Sequence, residues 1–401
     1  MTDAKPSSPP KTPWGLVVLL GSLTAMAPVG IDMYLPSLPA IGEDLRATAA
    51  QTQGTVAAFL AGMAIGQFLY GPASDRVGRR VPILVGVAIF ILASVGCALA
   101  ATPEQLLAGR FVQALGGCAG SVVSRAVVRD RFDHTETART LSLMMLIMGA
   151  APILAPLLGG ALLGLGGWRL NFWFMAAFGV AIWLAAFLRL KESRSEETAR
   201  LARSEHPIRS YVALLSNVRL LGYALAGGLN GAVLFTYISS SPDLLIGQYG
   251  VSPAAFGWVF GVNAIGVIGA NQVNRWLLRR RVPDHVLARA SVVAAGFALL
   301  LAAAAALGAG AFVILPLLFM TLASYGLMQG NTTAGALSVD PLRAGSTSAL
   351  LGAMAFALGA AASSLASAFH DGTPRPMAFV MLAALLGSAA ALHLLALPKR
   401  P

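Results

Sequence analysis

Two ionisable side chains lie inside long apolar segments of the sequence, Asp32 near the end of the first segment and Arg110 within the fourth. Ionisable groups are costly in lipid and normally serve a function there. A carboxylate in a dry cavity resists ionisation, whereas a nearby guanidinium favours it. We therefore expect Asp32 to bind and release protons and Arg110 to tune that equilibrium. The alternatives are that Asp32 reaches water at the segment end and that Arg110 clamps helix carbonyls.

Helical rise places these two residues at similar depths. Asp32 is about three residues from the outer end of its predicted helix, ~5 Å, and Arg110 is about five residues from the outer end of its own, ~8 Å. Gln113 follows Arg110 by three positions and shares its helix face. Other polar or aromatic side chains in apolar segments either bond between helices or contact a bound small molecule. The predicted contacts are Tyr34, Gln113, Asn230, Tyr237 and Asn263.

Composition predicts that membrane-spanning helices carry these residues. The chain has 401 residues, 57% hydrophobic and 11% charged, with a mean hydropathy of +0.73. A soluble domain has about 25% charged residues, so a soluble enzyme, a disordered chain and a coiled coil are excluded. A spanning helix needs ~20 apolar residues. The sequence predicts an all-α membrane protein with twelve transmembrane helices, at 16–35, 53–72, 81–100, 105–126, 140–163, 168–188, 217–239, 253–274, 286–306, 310–333, 346–369 and 377–397.

The longest polar stretch, residues 190–216, divides the twelve segments into six and six. Two six-helix halves joined by a charged linker indicate an internal repeat, as in secondary transporters. We therefore predict two pseudo-symmetric bundles. The predicted division is a tail at 1–14, a bundle at 15–189, a linker at 190–216, a second bundle at 217–397 and a tail at 398–401.

Lys and Arg are distributed unequally between the two sides of the predicted membrane. Of 28 such residues, 24 fall on one side, while Arg46, Arg169 and Arg375 fall on the other and Arg110 lies within a span. Cytoplasmic loops carry such an excess, so we expect both termini to be cytoplasmic. The formal net charge of +11 then reflects topology and requires no nucleic acid.

The sequence lacks the motifs of several enzyme classes. It contains no G-x-x-x-x-G-K-S/T phosphate loop and no H-E-x-x-H zinc motif. Cys97 and Cys118 both lie in apolar segments, where a thiol usually behaves as a small hydrophobe. A membrane-embedded enzyme would need His, Cys or acidic residues at one depth, but the five His are scattered, mostly in loops. We therefore expect no enzyme, no metal site and no cofactor.

A tight polar turn separates the second and third apolar segments. Its Asp75 can accept hydrogen bonds from Arg79 or from helix N-termini. The turn resembles the signature loop of the major facilitator superfamily, G-x-x-x-D-R-x-G-R-R. That resemblance implies two six-helix bundles, alternating access to a central cavity, and a switching role for the loop. The matching residues are Gly71, Asp75, Arg76, Gly78 and Arg79.

Three further stretches narrow the resemblance. Residues 32–39 resemble the D-M-Y-L-P motif of proton-coupled drug exporters, especially the Bcr/CflA branch of multidrug-resistance antiporters. Residues 110–117 resemble the R-x-x-Q-G-x-G motif of the fourth helix, with Ala114 in place of the first glycine. Residues 152–160 resemble the fifth-helix antiporter motif, with Ala155 in place of a glycine. The antiporter residues carried over are Pro152, Pro156, Gly159 and Gly160.

The resemblance implies secondary active export of small hydrophobic or amphipathic drugs across the bacterial inner membrane, in exchange for protons. The expected partners are the drug, protons and the lipid bilayer, and the expected oligomeric state is a monomer. The same scaffold also suits proton-coupled transport of an endogenous metabolite, by uptake or export. The antiporter-like stretch at residues 152–160 favours export over uptake.

The charge asymmetry makes a topology prediction. Reporter domains inserted within residues 190–216 or fused after Pro401 should be active only when the reporter works in the cytoplasm, because 24 of the 28 basic residues lie on that side. Paired cytoplasmic and periplasmic reporters measure this directly. Periplasmic activity at either position would overturn both the topology and the number of spans.

Overall fold

The computed structural model describes residues 14–132, 134–204 and 207–397. Every regular element within these ranges is helical, and twelve of the helical stretches are long and apolar enough to cross a membrane. The predicted all-α membrane fold with twelve transmembrane helices is confirmed. Several helices run beyond the predicted apolar spans because polar residues continue them at the ends. The second span, predicted at 53–72, is Ala49–Val77.

Six spanning stretches precede the charged segment at 190–216 and six follow it. The first half contains α1 (Trp14–Asp32), α2 (Leu38–Asp44), α3 (Ala49–Val77), α4 (Arg80–Ala98), α5 (Pro103–Arg131), α6 (His134–Gly166) and α7 (Trp168–Arg189). Two short helices occupy the segment between the halves, α8 (Glu196–Ser204) and α9 (Pro207–Leu215). The second half contains α10 (Val218–Pro242), α11 (Pro253–Leu277), α12 (Pro283–Ala306), α13 (Ala311–Val339), α14 (Ala344–Ala368) and α15 (Arg375–Ala391).

Polar caps set the start of several spanning helices. Before α3, Thr48 Oγ1 accepts from the Gln51 N–H at 3.2 Å, and the Gln51 side chain accepts from the Thr48 N–H at 2.9 Å. Thr102, Asn217 and Ser252 likewise accept a backbone N–H three residues later, at the starts of α5, α10 and α11. These side chains satisfy N–H groups that have no partner within the helix.

The first span is interrupted directly after Asp32. α1 ends at Asp32, and a 3₁₀ turn at Leu35–Ser37 leads into α2. Pro36 and Pro39 lie in the first turns of these two elements, and proline has no N–H with which to continue a helix. The prediction that α1 continues about three residues past Asp32 is therefore wrong. Asp32 is the last residue of the helix.

The two halves meet along two helix pairs, α3 against α14 and α6 against α11. Near the end of α1, α6 packs closely both on its own half and on the second half. A Cβ atom on Gly159 of α6 would lie 1.6 Å from Met33 O, and one on Gly160 would lie 2.7 Å from Pro253 O at the start of α11. Small residues permit such contacts between membrane helices. α6 thus lies directly between the end of α1 and the second half.

These contacts predict a stability difference between two glycines of α6. Gly159→Ala should lower the free energy of unfolding by about 1–3 kcal/mol, because the added methyl group forces backbone to move. Gly164→Ala is the matched control, since a Cβ atom there meets nothing within 4 Å. The measurement is the thermal unfolding midpoint of both variants in detergent. Equal midpoints would show that α6 is not packed against Met33 in this way.

Candidate functional site

Arg110 is fully buried in α5 among aromatic rings. Its guanidinium carbon lies 4.0 Å from the centre of the Tyr34 ring, 4.3 Å from that of Phe59 and 5.7 Å from that of Phe172. Its Nη2 atom donates to Gly30 O of α1 at 2.6 Å. A desolvated cation–π contact contributes about 2 kcal/mol. Rings and a carbonyl oxygen therefore stabilise this charge.

Gln113 and Tyr34 bond to protein groups around Arg110. Gln113 Oε1 accepts from Arg110 Nη1 at 2.5 Å, and its Nε2 donates to Ser94 Oγ at 2.7 Å. The Tyr34 hydroxyl bonds to Thr55 Oγ1 at 2.9 Å. Both side chains are fully buried, and these contacts hold Arg110 in place. That either residue also contacts a substrate stays a prediction.

Asp32 is buried beside this cluster without a salt bridge. Its Oδ1 atom has no hydrogen-bond partner, and no cation of the described residues lies within 4.0 Å of the carboxylate. Arg110 instead reaches the carbonyl of Gly30, two residues before Asp32. Asp32 is also within electrostatic range of Tyr237 in α10. The carboxylate therefore lies where the first half meets the second, and no hydrogen bond or ion pair joins it to Arg110.

Tyr237 and Asn263 form a pair in the second half. Asn263 Nδ2 donates to the Tyr237 hydroxyl at 2.9 Å and so links α11 to α10, while the Tyr237 ring stacks on Phe260 with centres 5.3 Å apart. Asn230 lies two turns before Tyr237 in α10, buried, with no partner for either side-chain atom. The structure thus places Tyr237 near Asp32 and leaves Asn230 apart.

A cavity of about 460 Å³ lies between the halves at the opposite end of α3, which we call the Asp75 end. α3 and α5 form one wall and the start of α14 forms the other. Tyr34, Gln113, Asn230, Tyr237 and Asn263 do not line this cavity. At the Asp32 end the halves touch, and Ser367 Oγ of α14 donates to Ala50 O of α3 at 2.9 Å.

Ion pairs fix the loop between α3 and α4 at the Asp75 end. Arg79 pairs with Asp75, and its Nε atom lies 2.8 Å from Asp130 Oδ2 at the end of α5. Gly78 has φ of 101°, and a Cβ atom there would lie 2.4 Å from the Glu192 carboxylate. Only glycine fits both the backbone angle and the space. Asp130 and Glu192 were not among the predicted site residues.

Glu192 follows α7 and caps the start of α4. Its carboxylate accepts from the N–H of Arg79 at 2.8 Å and of Arg80 at 3.2 Å. Partial burial acts to raise the pKa of Glu192, but the backbone N–H donors outweigh it and hold that pKa below its usual value. Arg194 donates to the backbone carbonyls of Asp75 and Arg76. The only sequence signal for this contact was an acidic residue directly after the sixth span.

The predicted antiporter motif lies on α6, at its contact with both neighbours. Pro152 and Pro156 are inside the helix, and Gly159 and Gly160 follow at the closest approaches to Met33 and the start of α11. Each proline removes one helix N–H donor. Among residues 14–132, 134–204 and 207–397, no group of three or more His, Cys, Asp or Glu side chains could hold a metal ion.

Known proteins share this sequence pattern over most of its length. The family model described as Major Facilitator Superfamily matches residues 20–364. The chain is 36% identical over 381 residues to the uncharacterized MFS-type transporter YdgK of Bacillus subtilis, covering 94% of each protein. It is 30% identical to a bicyclomycin resistance protein homolog of Haemophilus influenzae, covering 96% of this chain and 97% of that protein. It is 37% identical over 243 residues to the multidrug resistance protein MdtL of Escherichia coli, covering 61% of each.

Solved structures share the fold at low sequence identity. A D-xylose-proton symporter superposes with a TM-score of 0.73 at 13% identity, covering 95% of this chain and 98% of that one. A bacterial homolog of the human lysosomal transporter Spinster, in an inward-facing and occupied conformation, superposes with a TM-score of 0.72 at 18% identity, covering 97% of each. The predicted family is confirmed: this chain belongs to the major facilitator superfamily, and it is a transporter and not an enzyme.

Proposed function

We propose that this transporter exports small hydrophobic or amphipathic compounds across the bacterial inner membrane in exchange for protons. Relatives that match 96% and 61% of the chain are named for bicyclomycin and multidrug resistance, which supports drugs as the substrate class. The observation that carries the proposal is the Asp32 carboxylate, buried at the meeting of the two halves with an oxygen that lacks a partner.

A carboxylate in this position suits a proton carrier. Burial without a bonding partner disfavours its charged form, whereas contact with water restores it. Asp32 is the last residue of α1, at the end where the halves touch. Opening that end would wet the carboxylate and let the proton gradient load it. Closing it and opening the Asp75 end would release the proton as a substrate enters.

Arg110 is the second member of the proposed coupling pair. In this structure its guanidinium bonds to Gly30 O, two residues before Asp32 in the chain, and not to the carboxylate. Its proposed role is therefore to stabilise the deprotonated carboxylate in another state of the transport cycle. Substrate and proton would then compete for the same layer of the protein, with Tyr237 and Asn263 as contacts from the second half. Tyr34, Gln113 and Asn230 are weaker candidates for substrate contact, the first two because they already bond to protein groups.

The loop of Gly71, Asp75, Arg76, Gly78 and Arg79 acts in conformational switching. Asp75 and Arg79 line the cavity between the halves, and Arg79 ties the loop to α5 through Asp130. Any closure of this end must move the loop against the start of α14. The loop lies at the opposite end of α3 from Asp32 and so does not contact the proton site.

The Asp75 end faces the cytoplasm in this proposal. The segment at 190–216 and both termini then lie on the same side, as the distribution of 24 basic residues requires. The transporter works as a monomer in the bilayer, since one chain supplies both halves. With this orientation, the cavity between the halves opens towards the cytoplasm.

The central test is Asp32→Asn in a pump-deficient host, with a susceptibility panel of antibiotics and dyes to find the exported compounds. The variant should reach the membrane yet reduce resistance to the level of the empty vector, because the amide cannot carry a proton. Purified into liposomes, it should show no substrate-induced proton release. Asp371→Asn is the matched control, since Asp371 bonds to Thr373 within its own exposed loop.

Full gradient-driven export by Asp32→Asn would place the coupling site elsewhere. The next candidates are Asp243, whose carboxylate lies 2.9 Å from His370 Nε2, and Asp340, which pairs with Arg343 at 3.1 Å. Asp243→Asn and Asp340→Asn should therefore be measured beside Asp32→Asn. A loss of proton release in either, with Asp32→Asn active, would reassign the proton carrier.

Arg110→Lys tests whether geometry matters as well as charge. Lysine keeps the charge but loses the planar fork that bonds Gly30 O and Gln113 together. Loss of one charged hydrogen bond costs about 1.5–3 kcal/mol, so both the export rate and the thermal midpoint should fall. Arg275→Lys is the control, because Arg275 is exposed at the end of α11 and has no carboxylate of the described residues within 4.0 Å. Similar behaviour of the two variants would show that Arg110 acts as a point charge only.

A further inference from the structure

The cavity at the Asp75 end is strongly basic. Five arginines and one aspartate line its volume of about 460 Å³. Arg79 is neutralised by Asp75 and Asp130, and Arg343 pairs with Asp340 at 3.1 Å. Arg125 and Arg129 also line the cavity.

Arg125 and Arg129 carry much of the positive charge of this cavity. They lie one turn apart on α5, on the same face, and both line the cavity. Arg125 Nε donates to Ser121 O at 3.1 Å. Within the described part of the chain, neither guanidinium has a carboxylate within 4.0 Å. Two like charges one turn apart repel each other, so an anion between them would be stabilised.

A buried amide faces the same cavity. Gln67 of α3 is only 4% exposed and lines the cavity, yet its side chain forms no hydrogen bond with any described residue. Across from it, Ser346 and Ser348 line the cavity at the start of α14. The N–H groups of a helix start attract anions. Apart from Asp75, which pairs with Arg79, the charged groups on both walls are therefore positive, and Gln67 and the two serines can each donate a hydrogen bond.

Apolar side chains complete the wall. Val122 and Leu141 line the cavity together with the ring of Tyr211 from α9, which packs edge-on against Phe68 with centres 5.1 Å apart. Contact with these surfaces would not stabilise a purely inorganic anion. The apolar part of an organic anion would be stabilised, because the contact removes it from water. The cavity therefore combines an anion site with an apolar surface.

We propose that this cavity binds the anionic group of amphipathic substrates, namely a carboxylate, sulfonate or phosphate on an apolar body. Arg125 and Arg129 are its direct partners, and Gln67 donates a further hydrogen bond. Guanidinium groups bind such oxyanions through paired N–H donors, and the excess charge concentrates anions at the cytoplasmic opening. The inference rests on the proposed export function and narrows its substrate class to compounds that carry an acid group.

The test compares an acid with its neutral analogue on the purified full-length protein in detergent. Thermal unfolding is measured against increasing 2-naphthoate, naphthalene-2-sulfonate, 2-naphthamide and inorganic phosphate. The two acids should give a half-maximal stabilisation at a concentration about tenfold lower than the amide. Equal responses to the acids and the amide, including no response to any of them, would overturn the proposal. A response to phosphate equal to that to the acids would show a simple anion site and overturn the amphipathic part.

Variants locate the site. The double variant Arg125→Gln/Arg129→Gln should remove the preference for the acids, and Arg129→Gln alone, at an exposed position, should weaken it. Arg279→Gln/Arg280→Gln is the matched control, because these arginines follow α11 at the same end of the protein but do not line the cavity. If Arg125→Gln/Arg129→Gln still preferred the acids over the amide, the assignment of Arg125 and Arg129 as the anion partners would be wrong. The binding test uses no proton gradient, so a negative result would not contradict proton-coupled export. Likewise, full export by Asp32→Asn would not contradict anion binding in this cavity.

Discussion

The positive charge of Arg110 has to be held inside the membrane, and four helices of the first half converge on it. The backbone of α1 supplies the Gly30 carbonyl oxygen, α3 supplies Phe59, α7 supplies Phe172, and α5 carries Arg110 itself. A displaced helix would leave part of the guanidinium unsolvated in an apolar medium, which is costly. The first half is therefore constrained to move as a unit, with Asp32 fixed at the end of α1.

The two ends of the transporter are held by different forces. At the Asp32 end, glycines of α6 allow backbone contacts with Met33 and Pro253. At the Asp75 end, Arg79 forms ion pairs with Asp75 and Asp130 next to an open basic cavity. Close packing excludes water and is lost abruptly with small separations, whereas ion pairs tolerate hydration. This difference favours two discrete arrangements over a continuous range.

The fold could be predicted from the sequence because a bilayer requires long apolar helices joined by short polar turns. Both are visible as alternating apolar and polar segments along the chain. The sequence was also sufficient to single out Asp32 and Arg110, since charges inside apolar segments are rare. It left open whether Arg110 would bond to a helix carbonyl or tune Asp32, and the structure shows the bond to Gly30 O of α1. It also missed Glu192, more than a hundred residues from the N–H groups that it caps, because no local pattern records such a contact.

The cap that Glu192 places on α4 has a consequence for how such transporters can be recombined. Glu192 and Arg194 bond to the first half, and α8 packs against α3 of that half. Further along, α9 packs against α10 and α14 of the second half. A chimera that exchanges the connection between halves must therefore retain its first residues from the same parent as the loop containing Gly78. The later part should accept sequence from another parent provided that the face of α9 towards the second half is preserved. The functional boundary between the halves thus falls inside the connection, beyond α8, and not at the end of the sixth span.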